Sequence, residues 1–95
     1  MDWRRDRRYR LWRIKTIRRD KVCQVCGTIK HRQSHHLNSG SYFPDERYDL
    51  KNSVTLCAKC HTNYHCNYHN SFIEKCNKYD YKNFMSLVKY IRSLT

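Results

Sequence analysis

The sequence predicts a small α+β domain, stapled by a four-cysteine zinc site and flanked by helices at both ends. Three observations predict it: two Cys-x-x-Cys pairs, Cys23/Cys26 and Cys57/Cys60; short extended runs punctuated by turn residues between them; and stretches on either side that lack Gly and Pro and carry apolar residues at helical spacing. A chain of 95 residues with mean hydropathy −1.01 has thin aliphatic core material, and domains this small usually need a covalent or metallic staple. One domain is therefore expected over 1–95, with a basic helix and lead-in over 1–22, a metal-binding core over 23–66 and a helical segment over 67–95.

The opening stretch "MDWRRDRRYRLWRIKTIRR" carries much of the positive charge, and Leu11, Ile14 and Ile17 recur at roughly helical spacing with Trp3, Tyr9 and Trp12 nearby. This predicts a helix with a basic outer face, docked through the Leu11, Ile14, Ile17 stripe. A solvated charged helix is the ordinary outcome of such a pattern. The density of arginines favours nucleic acid, because guanidinium groups fork onto phosphates while interleaved aromatic rings cover apolar surface or stack. Arg4, Arg5, Arg8, Arg13, Lys15 and Arg18 are the candidate phosphate contacts here, joined by Lys30, Arg32 and Arg47 further along.

Over the whole chain 20 Lys and Arg stand against 8 Asp and Glu, a formal net charge of +12, so the expected partner is a polyanion. Four thiolates around one zinc would still leave about +10. No apolar run is long enough for a membrane helix, and the N-terminus lacks the apolar core of a secretory signal. An intracellular, cytoplasmic protein without a membrane partner is expected. In a reducing compartment, Cys-x-x-Cys pairs are more often metal ligands than disulfides.

"RDKVCQVCGT" reads as a short strand leading into Cys23 and Cys26, with Gly27 supplying the positive φ that a tight metal-binding turn needs. Residues 33–56 read as a hairpin or loop pair broken at Gly40, Pro44 and Asp45, with "SVTL" as its second strand. "LCAKCHTNYH" begins a helix, and Phe84, Leu87, Val88 and Ile91 mark the inner stripe of a C-terminal one. Cys66 and Cys76 are expected to be free thiols.

With Cys23, Cys26, Cys57 and Cys60 filling a closed tetrahedron, His35, His36, His61 and His65 are surplus to the structural ion. On a helix His61 and His65 share a face and can converge on a second ion, whereas His35 and His36 in an extended "SHHL" point to opposite sides. One of the two then suits a catalytic metal with His61 and His65, and its neighbour suits a general base. A different ligand set also satisfies the spacing: Cys57 and His61 are one helical turn apart, and zinc bound by Cys23, Cys26, one later cysteine and a histidine is chemically reasonable.

The order "HH", then the Asn of "DLKNSVTLC", then "LCAKCHTNYH", framed by the paired cysteines, resembles the zinc-containing branch of the HNH endonuclease family from about "WRIKTIRRDKVCQVCG" through "CHTNYH". The resemblance implies a ββα-metal core, described also as treble-clef-like. It implies His35 as metal ligand, His36 as general base, Asn52 as the brace of the loop that holds the base, and His61 and His65 as further metal ligands. It implies one-metal hydrolysis of DNA to 5′-phosphate and 3′-hydroxyl ends. Mg²⁺ or Mn²⁺ is the expected catalytic ion, with the all-histidine set shifting preference toward Mn²⁺, Ni²⁺ or Zn²⁺.

The expected partner is double-stranded DNA, bound by a monomer or homodimer with either weak specificity or a targeting partner protein, because so short a chain has little room to read bases. Two other functions use the same parts. A zinc-stabilised DNA-binding module without catalysis accounts for charge and cysteines but not for the four histidines. An RNA-directed nuclease accounts for both, since the hydrolytic chemistry does not demand DNA.

Overall fold

The computed structural model describes residues 2–64 and 77–94. Its elements, in chain order, are a 3₁₀ turn at Trp3–Arg5, helix α1 at Arg7–Asp20, strand β1 at Arg32–His36, 3₁₀ turns at Pro44–Glu46 and Leu50–Asn52, strand β2 at Ser53–Cys57, helix α2 at Ala58–Thr62 and helix α3 at Lys78–Ser93. This is an α+β arrangement around a two-stranded antiparallel sheet. Among the described residues no helix is long and apolar enough to cross a membrane.

Pairing of β1 with β2 sets His35 opposite Val54, Gln33 opposite Leu56, His36 opposite Ser53 and Ser34 opposite Thr55. Because side chains alternate along a strand, the hairpin has two unlike faces. One carries Gln33, His35, Val54 and Leu56. Its apolar members join the core with Cys23, Val25, Tyr64 and Phe84, and Leu37, Tyr81, Met85 and Val88 pack against that cluster. The other carries Ser34, His36, Ser53 and Thr55 and receives α1.

Helix α1 starts at Asp6, whose carboxylate accepts the Arg8 amide at 2.8 Å, and ends at Lys21, in the left-handed region at φ 68°. It docks through Trp12 and Thr16, both buried, rather than through the expected Leu11, Ile14, Ile17 stripe; Leu11 and Ile14 are exposed and Ile17 only half-buried. The cause is the polarity of the face it meets. Thr55 Oγ1 donates to Thr16 O at 3.3 Å, Ser34 Oγ donates to Arg13 O at 2.9 Å, and Asp20 accepts the Thr55 amide at 2.8 Å. A seam of this kind selects Thr, Asp and a Trp able to donate its indole N–H, here to Asp49 O at 3.0 Å.

Two other expectations are corrected. Residues 20–23 form no strand: the Cys23 amide bonds Thr28 O and the Gly27 amide bonds Cys23 O, so the segment closes on itself as a turn, joined to the β2 backbone through the Gln24 amide, which donates to Thr55 O at 3.0 Å. Gly27 sits at φ 78°, as expected of a tight turn. On α3 the inner stripe is Tyr81, Phe84, Met85 and Val88, while Leu87 and Ile91 are exposed. The stripe is shifted three residues toward the N-terminus, because the hairpin core lies beside the first turns of α3 and its amphipathic Tyr81 and adaptable Met85 fill the gaps. Helix α3 opens with a capping box between Asn77 and Asp80.

Candidate functional site

The four paired cysteines converge. Cys23 and Cys26 come from the turn after α1, Cys57 from the end of β2 and Cys60 from the first turn of α2, and their sulfurs all lie within 4.8 Å of one another. Cys26 Sγ and Cys57 Sγ are 3.7 Å apart, far beyond a disulfide bond and close to the ~3.8 Å edge of a tetrahedron with Zn–S of about 2.3 Å. Backbone amides are aimed at sulfur: Cys60 N–H reaches Cys57 Sγ at 3.4 Å. Burial raises the Cys23 thiol, but amides of Cys26, Cys57 and Val25 outweigh it and hold it down to about 7, whereas burial and the neighbouring sulfurs push Cys60 up. Four sulfurs so crowded can all shed their protons only around a cation. The donor set and spacing fit a structural zinc, and neither the competing Cys3His set nor a disulfide is needed to account for them.

His35 and His61 form a second pair. His35, 3% exposed, projects from the inner face of β1 toward α2, and its Nδ1 lies 3.2 Å from His61 Nε2. Tyr64 packs edge-on against the His35 ring, which fixes its plane. Nitrogens on neighbouring positions of one divalent ion stand ~3.0 Å apart in an octahedral site and ~3.4 Å apart in a tetrahedral one, so 3.2 Å suits either geometry. His61 Nδ1 is 2.6 Å from Gln33 Oε1. His65, expected as a third ligand, lies outside the described residues, as do Cys66 and Cys76. Among the described residues, the cysteine cluster is the only set of three or more metal-ligating side chains in one place.

His36 is placed differently. Its ring lies flat on Trp12, parallel to Tyr9 and edge-on to Trp3. Its Nε2 is 2.8 Å from the carbonyl of Arg47, which only accepts, so the neutral imidazole carries its proton on Nε2 and keeps the Nδ1 lone pair. Burial, with Arg4 and Arg47 nearby, holds the ring below the ordinary histidine value. His36 makes neither a hydrogen bond nor a ring contact with His35 or His61. The alternation read from the sequence thus separates the two neighbours onto opposite faces of β1.

Asn52 is buried in the loop between the strands and its side chain holds the backbone of Asn38: its Oδ1 accepts the Asn38 backbone N–H at 2.7 Å and its Nδ2 donates to Asn38 O at 2.9 Å and Glu46 O at 3.2 Å. Asn38 in turn donates to Glu46 Oε2 and accepts the Lys78 amide, tying the loop to the start of α3. Sequence reasoning did not single out Asn38. Its signal was faint, a polar residue two after the paired histidines in a turn-rich stretch.

The basic residues fall into distinct settings. Arg8 is engaged by Asp6 at 2.8 Å and lies over Tyr48, so it serves the helix start. Arg4 covers Trp3, and Arg5, Lys15, Arg18 and Lys30 are exposed. Arg13 and Arg32 line a cleft of about 230 Å³ between α1 and β1 with Tyr9, Ile17, Gln33, Ser34 and His61. Arg32 is braced by donating to Lys21 O at 2.6 Å. The cleft therefore brings two of the expected phosphate contacts to the side of His61, and Tyr9 in its wall is the residue that also lies parallel to His36.

Compared with family models, curated proteins and solved structures, the chain matches none.

Proposed function

We propose that this chain is a metal-dependent DNA endonuclease of the HNH type, with β1, β2 and α2 as a ββα-metal core and the four cysteines as its zinc staple. The observation that carries the proposal is the His35–His61 pair at 3.2 Å, of which His61 lines a cleft that holds Arg13 and Arg32. A metal-ligating pair beside two guanidinium groups suits a phosphodiester better than it suits a purely structural role.

In this reading His35, His61 and His65 would hold a divalent ion, Mn²⁺ or Mg²⁺ first and Ni²⁺ or Zn²⁺ next, and such an ion would supply positive charge against the phosphate and the departing oxygen. Arg13 and Arg32 grip the phosphate and orient the strand. His36, its Nε2–H held by Arg47 O, receives at Nδ1 the proton of the attacking water. The new P–O bond forms as the P–O3′ bond breaks, and O3′ takes a proton from solvent water, leaving 5′-phosphate and 3′-hydroxyl ends. Asn52 keeps the loop that carries Arg47 in place. Arg4, Arg5, Lys15, Arg18 and Lys30 supply phosphate contacts along the duplex without reading sequence.

A second reading, a zinc-stabilised DNA-binding module without catalysis, is favoured by one observation: His36 is packed among Trp3, Tyr9 and Trp12, apart from the His35–His61 pair. Digestion of supercoiled plasmid and of RNA side by side, by wild type and His36→Ala at equal zinc content, separates the readings. The nuclease reading expects divalent-dependent nicking of DNA that His36→Ala abolishes. Tight duplex binding with no strand break under any ion would favour the binding module.

A further inference from the structure

We infer that Gln33 is a positioning residue for the second metal site: it accepts the Nδ1 proton of His61 and thereby presents the His61 Nε2 lone pair to the ion shared with His35. The inference rests on the metal reading of the His35–His61 pair. Three features of the fold carry it. Gln33 and His35 are two apart on β1, so they project from the same face of the hairpin, the face that α2 crosses. Gln33 Oε1 stands 2.6 Å from His61 Nδ1, a short hydrogen bond in which the amide oxygen accepts and the imidazole donates. The other His61 nitrogen, Nε2, is the one turned to His35 Nδ1 at 3.2 Å.

The chemistry follows from the imidazole itself. A neutral ring has one N–H and one lone pair, and a metal takes only the lone pair, so whichever group binds the distal N–H selects the ligating nitrogen and fixes the ring plane. His61 sits near the end of a short helix, beside an open cleft, and is half-buried, whereas His35 is enclosed by Tyr64 and the hairpin. Of the two ligands, His61 is the one in need of an external anchor. A strand residue is a rigid place from which to supply it, because β1 is held by its ladder to β2 along its whole length.

The test uses the full chain loaded with structural zinc. Histidine side-chain ¹⁵N correlation spectra, recorded without added divalent ion, read the His61 tautomer directly, and Mn²⁺ titration reads the affinity of the second site. The variants are Gln33→Glu, which retains an acceptor, and Gln33→Met, which fills the same space without one; far-UV circular dichroism and zinc content establish that both are folded. In wild type and Gln33→Glu the proton is expected on Nδ1. In Gln33→Met this preference is lost and Mn²⁺ binds ~10–100-fold more weakly, while Gln33→Glu binds at least as tightly as wild type. A wild-type His61 protonated on Nε2, or Gln33→Met binding Mn²⁺ as tightly as wild type, overturns the inference. The expected tautomers in a wild-type protein that binds no Mn²⁺ would uphold Gln33 as the anchor of His61 and retire the metal reading instead.

Discussion

The imidazole of His36 lies face to face on the indole of Trp12, with ring centroids 3.9 Å apart and planes within 9°. Trp12 is 2% exposed, and its N–H is bonded to Asp49 O, so one side chain joins α1, β1 and the loop before β2. Trp12→Ala should lower stability by ~3–5 kcal/mol in denaturant unfolding. A loss below about 1 kcal/mol would show that α1 does not depend on this anchor.

Gly40 permits the close approach behind His36. A methyl at this position would stand 2.7 Å from Trp3 Cη2 and 3.0 Å from His36 Cε1. Gly40→Ala should displace the His36 ring, shift its side-chain NMR resonances and cost ~1–3 kcal/mol, with zinc content unchanged. Unaltered His36 resonances would mean that Trp3 yields and that the glycine is dispensable.

The loop between the strands depends on the grip of the Asn52 side chain on the Asn38 backbone. Asn52→Ala leaves the buried backbone N–H and C=O of Asn38 without partners and should cost ~1–3 kcal/mol; Asn38→Ala keeps both and loses only its side-chain bonds to Glu46 and the Lys78 amide, so it should cost less, and the double variant less than the two losses added. Full additivity in a double-mutant cycle would argue against a shared network.

Asp20 gives a pH dependence of known sign. Burial raises its carboxyl, but the Arg19 guanidinium at 2.8 Å and the Thr55 amide at 2.8 Å outweigh that and hold it below the ordinary 3.8. A depressed folded value means that its contribution is complete above the unfolded value and is lost as pH falls through the folded one. Asp20→Asn should therefore lower stability by about 1 kcal/mol, a figure discounted for solvent screening, and the gap to wild type should stay level from pH 7 to pH 5. A gap that closes before pH 5 would contradict the depressed value.

Much of this arrangement is legible in the sequence, and the gaps have physical causes. Cysteine spacing points to the four-sulfur cluster because tetrahedral ligation needs close pairs, and the strand alternation of 2 separates His35 from His36 without further information. "SVTL" announces β2 through its β-branched residues. The docking face of α1 is not legible, because hydrophobicity marks Leu11 and Ile14 whereas the hydrogen-bonding needs of Thr55 and Ser34 select Thr16 and Asp20. Arg8 reads as a phosphate contact, and its pairing with Asp6 at the start of α1 is a role the sequence pattern does not announce. Gln33 is deducible in principle, two residues before His35 on an extended segment, yet nothing local marks a glutamine as a histidine's anchor until α2 is folded over the strand.

The central claim is that this chain carries two distinct metal functions, a zinc held by cysteines for folding and a separate ion held by histidines for strand cleavage. It is tested most directly by plasmid nicking with protein stripped to its cysteine-bound zinc, before and after Mn²⁺ is added, with His61→Ala alongside at the same zinc content. The account predicts no nicking before Mn²⁺, nicking after it, and none in His61→Ala. Cleavage by the protein carrying only that zinc, cleavage by His61→Ala at the wild-type rate, or no cleavage by wild type under any divalent ion would contradict it.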